Sequence, residues 1–84
     1  MGRRSQYPVK RDEIVSAIAA LTEERHRNPS VREIAERTGL SVATLHSYLQ
    51  RLADDGLIEW RSKRHRSIRL TPDGQRLVST SVPF

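Results

Sequence analysis

The chain has 84 residues, no cysteine and a formal net charge of +5. This length fits one small domain, and the lack of cysteine excludes a disulfide framework and a thiolate metal site. No segment has the roughly 20 consecutive apolar residues of a membrane-spanning helix, and the start lacks the apolar core of a signal peptide, so we expect a soluble, cytoplasmic protein with no membrane partner.

Positive charge is concentrated at the two ends of the chain. Residues 1–10 carry three Arg or Lys and no acid, residues 11–60 carry six Arg against nine acids, and residues 61–84 carry six Arg or Lys against one Asp. A basic arm and a basic patch on either side of an acidic middle indicate a polyanionic partner more strongly than an evenly basic surface does. The charge pattern therefore favours nucleic acid.

The first predicted elements are an arm and a helix. Residues 1–8 offer few apolar side chains, so we expect a flexible basic arm. From about Val9 to Arg27 the apolar residues recur at helical spacing, at Ile14, Ala17, Ile18 and Leu21. Asn28-Pro29 ends this first helix, because proline cannot donate to a continuing helical ladder.

Two short helices are predicted next, joined by only a few residues. Ser30, with Glu33 three residues later, forms a capping box that begins the second helix, and Gly39 ends that helix. Ser41 is a preferred N-cap for a third helix that runs to about residue 54 or 55. Its apolar side is predicted to carry Val42, Leu45, Leu49 and Leu52. So short a link requires a steep angle between the helices, which is the layout of a helix-turn-helix.

After Gly56 the apolar spacing changes from helical to alternating. The alternating positions are Leu57, Ile58 and Trp60, followed by Ile68 and Leu70. They predict two strands joined by a basic turn, with Trp60 facing inward onto helix 3. Thr71 and Pro72 match the N-cap and first turn of a further short helix that reaches about Val78. We expect residues 75–84 to form this helical turn and a frayed tail.

Two stretches of the sequence carry a family resemblance. PSVREIAERTGLSVATLHSYLQRLADDGLIEW at 29–60 and RSIRLT at 66–71 together resemble the DNA-binding domain of LexA-type repressors and the wider bacterial winged-helix regulators. The resemblance covers roughly residues 9–74 as one domain. It implies an α+β, mostly α, fold: a winged helix-turn-helix in which three helices are followed by a two-stranded β-hairpin wing. It also implies transcriptional repression by operator occupancy.

Two features depart from the LexA-type pattern. The chain ends near residue 84, so we expect the self-cleaving serine-lysine protease and dimerisation domain of that family to be absent. The turn into helix 3 is also slightly shorter, so roles are carried over by position on the helix and no base is assigned. The sequence contains no recognisable Ser-His-Asp arrangement, phosphate loop or paired-carboxylate pocket. We therefore expect no enzymatic activity and no cofactor.

Helix 3 supplies the first candidate DNA contacts. The N-terminal half of the second helix of a helix-turn-helix approaches the base edges, and here it carries small and hydroxyl side chains. The candidates on the side opposite the leucines, or flanking it, are Ser41, Ala43, Thr44, His46, Ser47, Gln50 and Arg51. The alternative is that they are ordinary solvated helix residues. Tyr48, at the edge, is expected in core packing more than in DNA contact.

The predicted wing and the start of helix 2 supply the remaining candidates. The wing residues Arg61, Lys63, Arg64, His65 and Arg66 follow one another without an intervening acid. Such crowding of like charge favours phosphate or minor-groove contact, above all for Lys63, Arg64 and Arg66, although hairpin tips are often solvated and basic. Ser30 and Arg32 open helix 2, whose amino end lies near the DNA backbone in this motif, with capping alone as the alternative.

These observations lead to one leading function and one alternative. We expect sequence-specific binding of double-stranded DNA by a transcriptional regulator, a repressor by resemblance, using helix 3 in the major groove and the basic wing. The alternative is a winged-helix module for protein or RNA interaction, or an architectural or excision module on phage or plasmid DNA. An interaction module would expose an apolar patch.

The three histidines share no ligand spacing, so no metal site is expected. We expect a nucleoid-associated protein that is a monomer or weak dimer when free and pairs on DNA.

Overall fold

The computed structural model of the chain describes residues 7–61 and 67–80, except for the side chains of 79 and 80. The elements follow in the order α1 (Tyr7–Arg25), α2 (Val31–Thr38), α3 (Val42–Asp54), β1 (Ile58–Glu59), β2 (Arg69–Leu70) and α4 (Pro72–Thr80). The two short strands pair antiparallel, with Ile58 opposite Leu70 and Glu59 opposite Arg69. This order confirms the predicted class, three helices followed by a two-stranded hairpin, and α4 is the further short helix predicted after Thr71.

One apolar core lies between the first three helices and the hairpin. Six of its side chains have no exposed area: Ile14, Ile18, Ile34, Leu45, Leu49 and Leu52. Each contributes roughly 1.5–3 kcal/mol to folding through removal of apolar surface from water. The helical spacing of the sequence predicted five of these positions, at Ile14, Ile18, Leu45, Leu49 and Leu52, so the phase of α1 and of α3 follows from its apolar stripe.

Two predictions about helix starts differ from the structure. Val42 was wrongly assigned to the buried side of α3, since 43% of it is exposed. As the first residue of α3 it lies one turn before buried Leu45, at the edge of the apolar arc. The first helix begins at Tyr7, within the segment expected to be the arm, and Tyr7 is only 7% exposed. The arm residues 1–6 lie outside the described part of the chain.

Helix α4 closes the domain against the hairpin. The Thr71 side chain acts as the predicted N-cap, since its Oγ1 accepts from Gly74 N at 3.1 Å and donates to Gly56 O at 2.6 Å. Gly74 lies so close to Leu57 that a Cβ added there would be 2.2 Å from the Leu57 carbonyl oxygen. Leu77 and Val78 pack against the core, and the helix continues to Thr80. Within residues 7–61 and 67–80, no helix has the length and apolar character to cross a membrane.

Candidate nucleic-acid interface

The start of α2 is fixed by a complete capping box. Ser30 Oγ accepts from Glu33 N at 3.1 Å, and Glu33 Oε1 accepts from Ser30 N at 2.8 Å. Ser30 is 7% exposed, so its side chain serves the helix end, while neighbouring Arg32 is exposed on the first turn. Of the two candidates here, the structure therefore leaves Arg32 reachable from outside and gives Ser30 a capping role.

The turn between α2 and α3 depends on one left-handed residue. Gly39 has φ +79°, and its N–H donates to Ala35 O at 2.8 Å, which ends α2. A residue with a Cβ is strained in this region, so glycine suits the position. Two residues later Ser41 has extended backbone and begins α3 as its N-cap. The two helices are thereby held at a defined angle.

Helix α3 has two opposite faces. Its leucines are fully buried, and its amino-terminal turn is exposed. We call the exposed set the reading face, which comprises Ser41, Val42, Ala43, Thr44 and Ser47. All have short side chains, so a partner can approach the helix backbone closely. Sequence reasoning missed Val42 as a member of this face, and its position as the first helical residue was the available signal.

Two hydroxyls of the reading face are linked to each other. Ser41 Oγ accepts from Thr44 N at 3.1 Å and donates to Thr44 Oγ1 at 2.9 Å. Because Thr44 Oγ1 is the acceptor in this bond, its own proton remains able to donate elsewhere. The pair therefore presents an ordered hydroxyl donor beside the methyl groups of Val42 and Ala43.

The candidates in the second half of α3 already contact neighbouring side chains. Gln50 Nε2 lies 3.4 Å from Asp54 Oδ1, and the guanidinium carbon of Arg51 lies 4.0 Å from the centre of the Tyr7 ring. Both residues are exposed, as predicted. Their contacts nevertheless direct them along the end of α3, away from the reading face.

His46 joins α3 to the hairpin. Its exposed imidazole meets the half-buried indole of Trp60 edge to face, with ring centres 5.1 Å apart and planes at 79°. Trp60 packs against the core, which confirms that it faces inward and anchors the hairpin on α3. Tyr48 is half-buried and also packs on the core.

The base of the wing is closed by one serine. Ser67 Oγ accepts from Arg61 N at 3.0 Å and donates to Arg61 O at 2.7 Å. The Arg61 side chain is exposed. The other four wing candidates, Lys63, Arg64, His65 and Arg66, lie outside the described residues. The structure therefore fixes the positions at which the basic segment leaves and rejoins the domain.

Cations at the end of α1 and in α2 are paired with acids of the same two helices. Arg25 lies 2.9 Å and Arg27 3.6 Å from the same Glu33 oxygen, and Arg37 lies 2.8 Å from Glu24. Exposed pairs of this kind contribute about 0–1 kcal/mol each. Among the residues that the structure describes, no three His, Asp or Glu side chains gather to hold a metal ion.

Residues 18–59, half of the chain, match a family model described as winged helix-turn-helix DNA-binding. The chain belongs to this family. The matched segment begins within α1, includes α2, the turn and α3, and ends at the last residue of β1. The geometry of the winged helix-turn-helix and the family match therefore agree over the same elements.

Curated relatives narrow the type. The chain is 37% identical over 71 residues to the LexA repressor of Caldicellulosiruptor saccharolyticus, an alignment that covers 83% of this chain and 35% of the relative. It is 33% identical over 76 residues to the LexA repressor of Clostridium botulinum (89% and 38%), and 32% identical over 76 residues to that of Clostridium kluyveri (89% and 38%). The domain is thus of the LexA type. It spans 35–38% of the length of these relatives.

Proposed function

We propose that this domain binds double-stranded DNA in a sequence-specific manner and regulates transcription, as a repressor that occupies its operator. The proposal rests on the reading face, an exposed row of short side chains at the amino end of α3 opposite three fully buried leucines. In a helix-turn-helix this part of the helix lies in the major groove. The first turn of α3 is where base edges would be met.

The chemistry of the reading face suits base recognition. The methyl groups of Val42 and Ala43 can pack on a thymine methyl, and the hydroxyls of Thr44 and Ser47 can donate to or accept from base edges and phosphates. No long side chain stands on this turn to hold the helix away from the groove. Arg32, exposed at the start of α2, is placed by the motif for a backbone phosphate.

The distribution of charge along the chain supports a polyanionic partner. Residues 61–84 carry a net charge of +5, and residues 11–60 carry a net charge of −3. The basic segment departs from the hairpin beside α3, where Arg61 is exposed, while the Arg–Glu pairs of α1 and α2 balance one another elsewhere. We propose that Arg61, Lys63, Arg64, His65 and Arg66 contact phosphates or the minor groove next to the bases read by α3.

The described surface gives less support to a protein-interaction module. In residues 7–61 and 67–80 the exposed large apolar side chains are Val9, 61% exposed, and Val42, 43% exposed. They lie on different helices: Val9 is on the first turn of α1, and Val42 is the first residue of α3. Tyr7, two residues before Val9, contacts Asp55, which caps the opposite end of α3 from Val42. Two separated valines do not make the contiguous apolar patch typical of a protein interface.

Selection of bound sites from random duplex DNA tests the proposal. We expect an enriched motif, and we expect the protein to bind it more tightly than a scrambled duplex of the same composition. The shape of the motif also reports assembly, since a palindrome requires two copies on adjacent half-sites. Recovery of unenriched sequence, or equal affinity for the selected and scrambled duplexes, would overturn sequence-specific recognition.

A further inference from the structure

The contact between His46 and Trp60 connects the two elements that the proposed function places on DNA. His46 lies on α3 between buried Leu45 and Ser47 of the reading face, and Trp60 directly follows β1. Their rings meet at 79° with centres 5.1 Å apart, a geometry in which the edge of one aromatic ring faces the π-cloud of the other.

Trp60 is held on both sides along the chain. Before it, Ile58 is buried and Glu59 is paired with Arg69 of the neighbouring strand. After it, both backbone polar groups of Arg61 are bonded to the Ser67 hydroxyl. The indole itself packs against the core. The position of Trp60 is therefore fixed by the hairpin and the core. His46, the other member of the pair, is exposed and packs against it.

An exposed histidine on a helix ordinarily exchanges between rotamers, and binding must then select one of them. In the structure the edge-to-face contact with the Trp60 indole places the His46 imidazole on the hairpin side of α3. From there the imidazole can donate or accept a hydrogen bond at a base edge or phosphate. A side chain ordered before binding costs less entropy to immobilise on binding.

We infer that Trp60 is a positioning residue for DNA recognition, which holds the His46 imidazole in its binding orientation. The same contact sets the base of the wing relative to α3, so that the two elements meet the duplex in register. This inference rests on the proposed function, because it gives His46 a role only in the DNA complex. Trp60 itself acts through His46 and does not stack on a base.

A double-mutant cycle on DNA affinity tests the inference. The variants are His46→Ala, Trp60→Leu and the double variant, measured by anisotropy on the duplex selected from random DNA. We expect Trp60→Leu to weaken binding about 2- to 10-fold when His46 is present and to have little effect when position 46 is alanine. Trp60→Phe, which keeps a ring, should restore most of the affinity. An equal loss in both backgrounds would overturn the positioning role.

Tyr48→Leu is the matched control. It removes another half-buried ring from α3, one that stacks on Tyr7 and not on His46. Its effect on affinity is expected to be the same whether position 46 carries histidine or alanine. A coupling with His46 as large as that of Trp60 would show a general loss of packing and would overturn the inference.

A measurement on the unmodified protein covers the case in which Trp60→Leu fails to fold. Nuclear Overhauser contacts between the two rings should be present in the free protein and persist in the DNA complex. Their loss on binding would mean that His46 leaves Trp60 to contact DNA, and the inference would be wrong. Failure of the unmodified protein to prefer any duplex would instead overturn the proposed function.

Discussion

The Tyr7 hydroxyl donates a 2.6 Å hydrogen bond to a carboxylate oxygen of Asp55, which joins the first residue of α1 to the residue that caps the end of α3. The Tyr7 ring also stacks on Tyr48, with centres 6.4 Å apart, and lies under the Arg51 guanidinium. The pKa of Tyr7 is raised to about 12, mainly by burial and secondly by the hydrogen bond to Asp55. The amino end of the domain is thus fastened to the helix that carries the reading face.

Tyr7→Phe should destabilise the domain by about 1–2 kcal/mol at neutral pH, because the hydrogen bond to a carboxylate is lost. The pKa of Tyr7 is higher in the folded chain than its ordinary value of 10.0. The stability contributed by its protonated form is therefore fully present below about pH 10 and lost as the pH rises toward 12. Urea unfolding across this pH range should show that the free energy of unfolding falls less for Tyr7→Phe than for the parent.

Tyr48→Phe is the control for the alkaline experiment, since it removes a neighbouring phenol and keeps both rings stacked. Because Tyr7 is unchanged in this variant, its free energy of unfolding should still fall between pH 10 and 12 through the ionisation of Tyr7. If the parent and Tyr7→Phe lose stability equally between pH 10 and 12, the Tyr7–Asp55 bond does not fasten α1 to α3.

Gly74→Ala should destabilise the domain by about 1–3 kcal/mol, although alanine favours a helix. The new Cβ would lie 2.2 Å from the Leu57 carbonyl oxygen, which also accepts from Thr71 N. Helix α4 would have to move from the hairpin, at the usual cost of overpacking. Thermal unfolding measures the change, with exposed Gln75→Ala expected within about 0.5 kcal/mol of the parent. Equal melting temperatures for Gly74→Ala and the parent would contradict this close approach.

The parts of the fold that the sequence predicted are those fixed by local signals. The Ser30 capping box, the Gly39 stop and the apolar spacing around Leu49 each depend on residues within one or two helical turns, and the structure confirms all three. Tyr7 and Gly74 were not predicted in their roles. Each is fixed by a contact with a residue far along the chain, Asp55 or Leu57. Periodicity carries no information about such contacts.

For the candidate site, too, the sequence predicted what depends on local spacing and not the contacts with distant residues. The exposed side of α3 follows from the positions of its leucines, so Ser41, Ala43, Thr44 and Ser47 were chosen correctly as exposed residues. Val42 was placed on the wrong side because a helical wheel does not show where the neighbouring helix stops covering α3. The partners of Arg51 and His46 come from α1 and the hairpin, beyond the reach of local patterns.

Neutralising Lys63, Arg64 and Arg66 to Gln should weaken binding to all duplexes and reduce its dependence on salt. Each lost phosphate contact lowers the slope of log affinity against log salt by about 0.9, so we expect a reduction of about 2 to 3. Titrations at several salt concentrations measure it. The matched control neutralises Arg11, Arg25 and Arg76, which lie beside acids on α1, α2 and α4. An equal change of slope for the two triple variants would mean that net charge alone acts, without a contact by the wing.

The free protein should sediment as a monomer or weak dimer at micromolar concentration. Its basic segments repel one another when two copies approach, and Leu77 and Val78, which would be apolar contacts for a partner, pack on the core of their own chain. Pairing is expected on DNA, where phosphates screen this charge. A tight dimer without DNA would contradict the prediction.

Ser47→Glu and Thr44→Glu should each abolish preference for the selected duplex while the domain stays folded. Both side chains are exposed on the reading face, so a carboxylate there meets the negative groove without disturbing the core. The affinities for the selected and scrambled duplexes measure the sequence preference. Circular dichroism of each variant measures whether the domain is folded. Ser16→Glu places the same charge on an exposed position of α1 and should leave the preference unchanged. An unaltered preference in Ser47→Glu would remove α3 from recognition.

The most direct test of the central claim is to map backbone amide shifts of the labelled protein as the selected duplex is added. If α3 and the wing read DNA, the largest shifts should fall on residues 41–47 and on Arg61 with the segment that follows it. The groove between α1 and α2, lined by Glu13, Ser16, Ala20 and Arg37, should change little. Shifts concentrated in that groove, with the amides of 41–47 unmoved, would contradict the account.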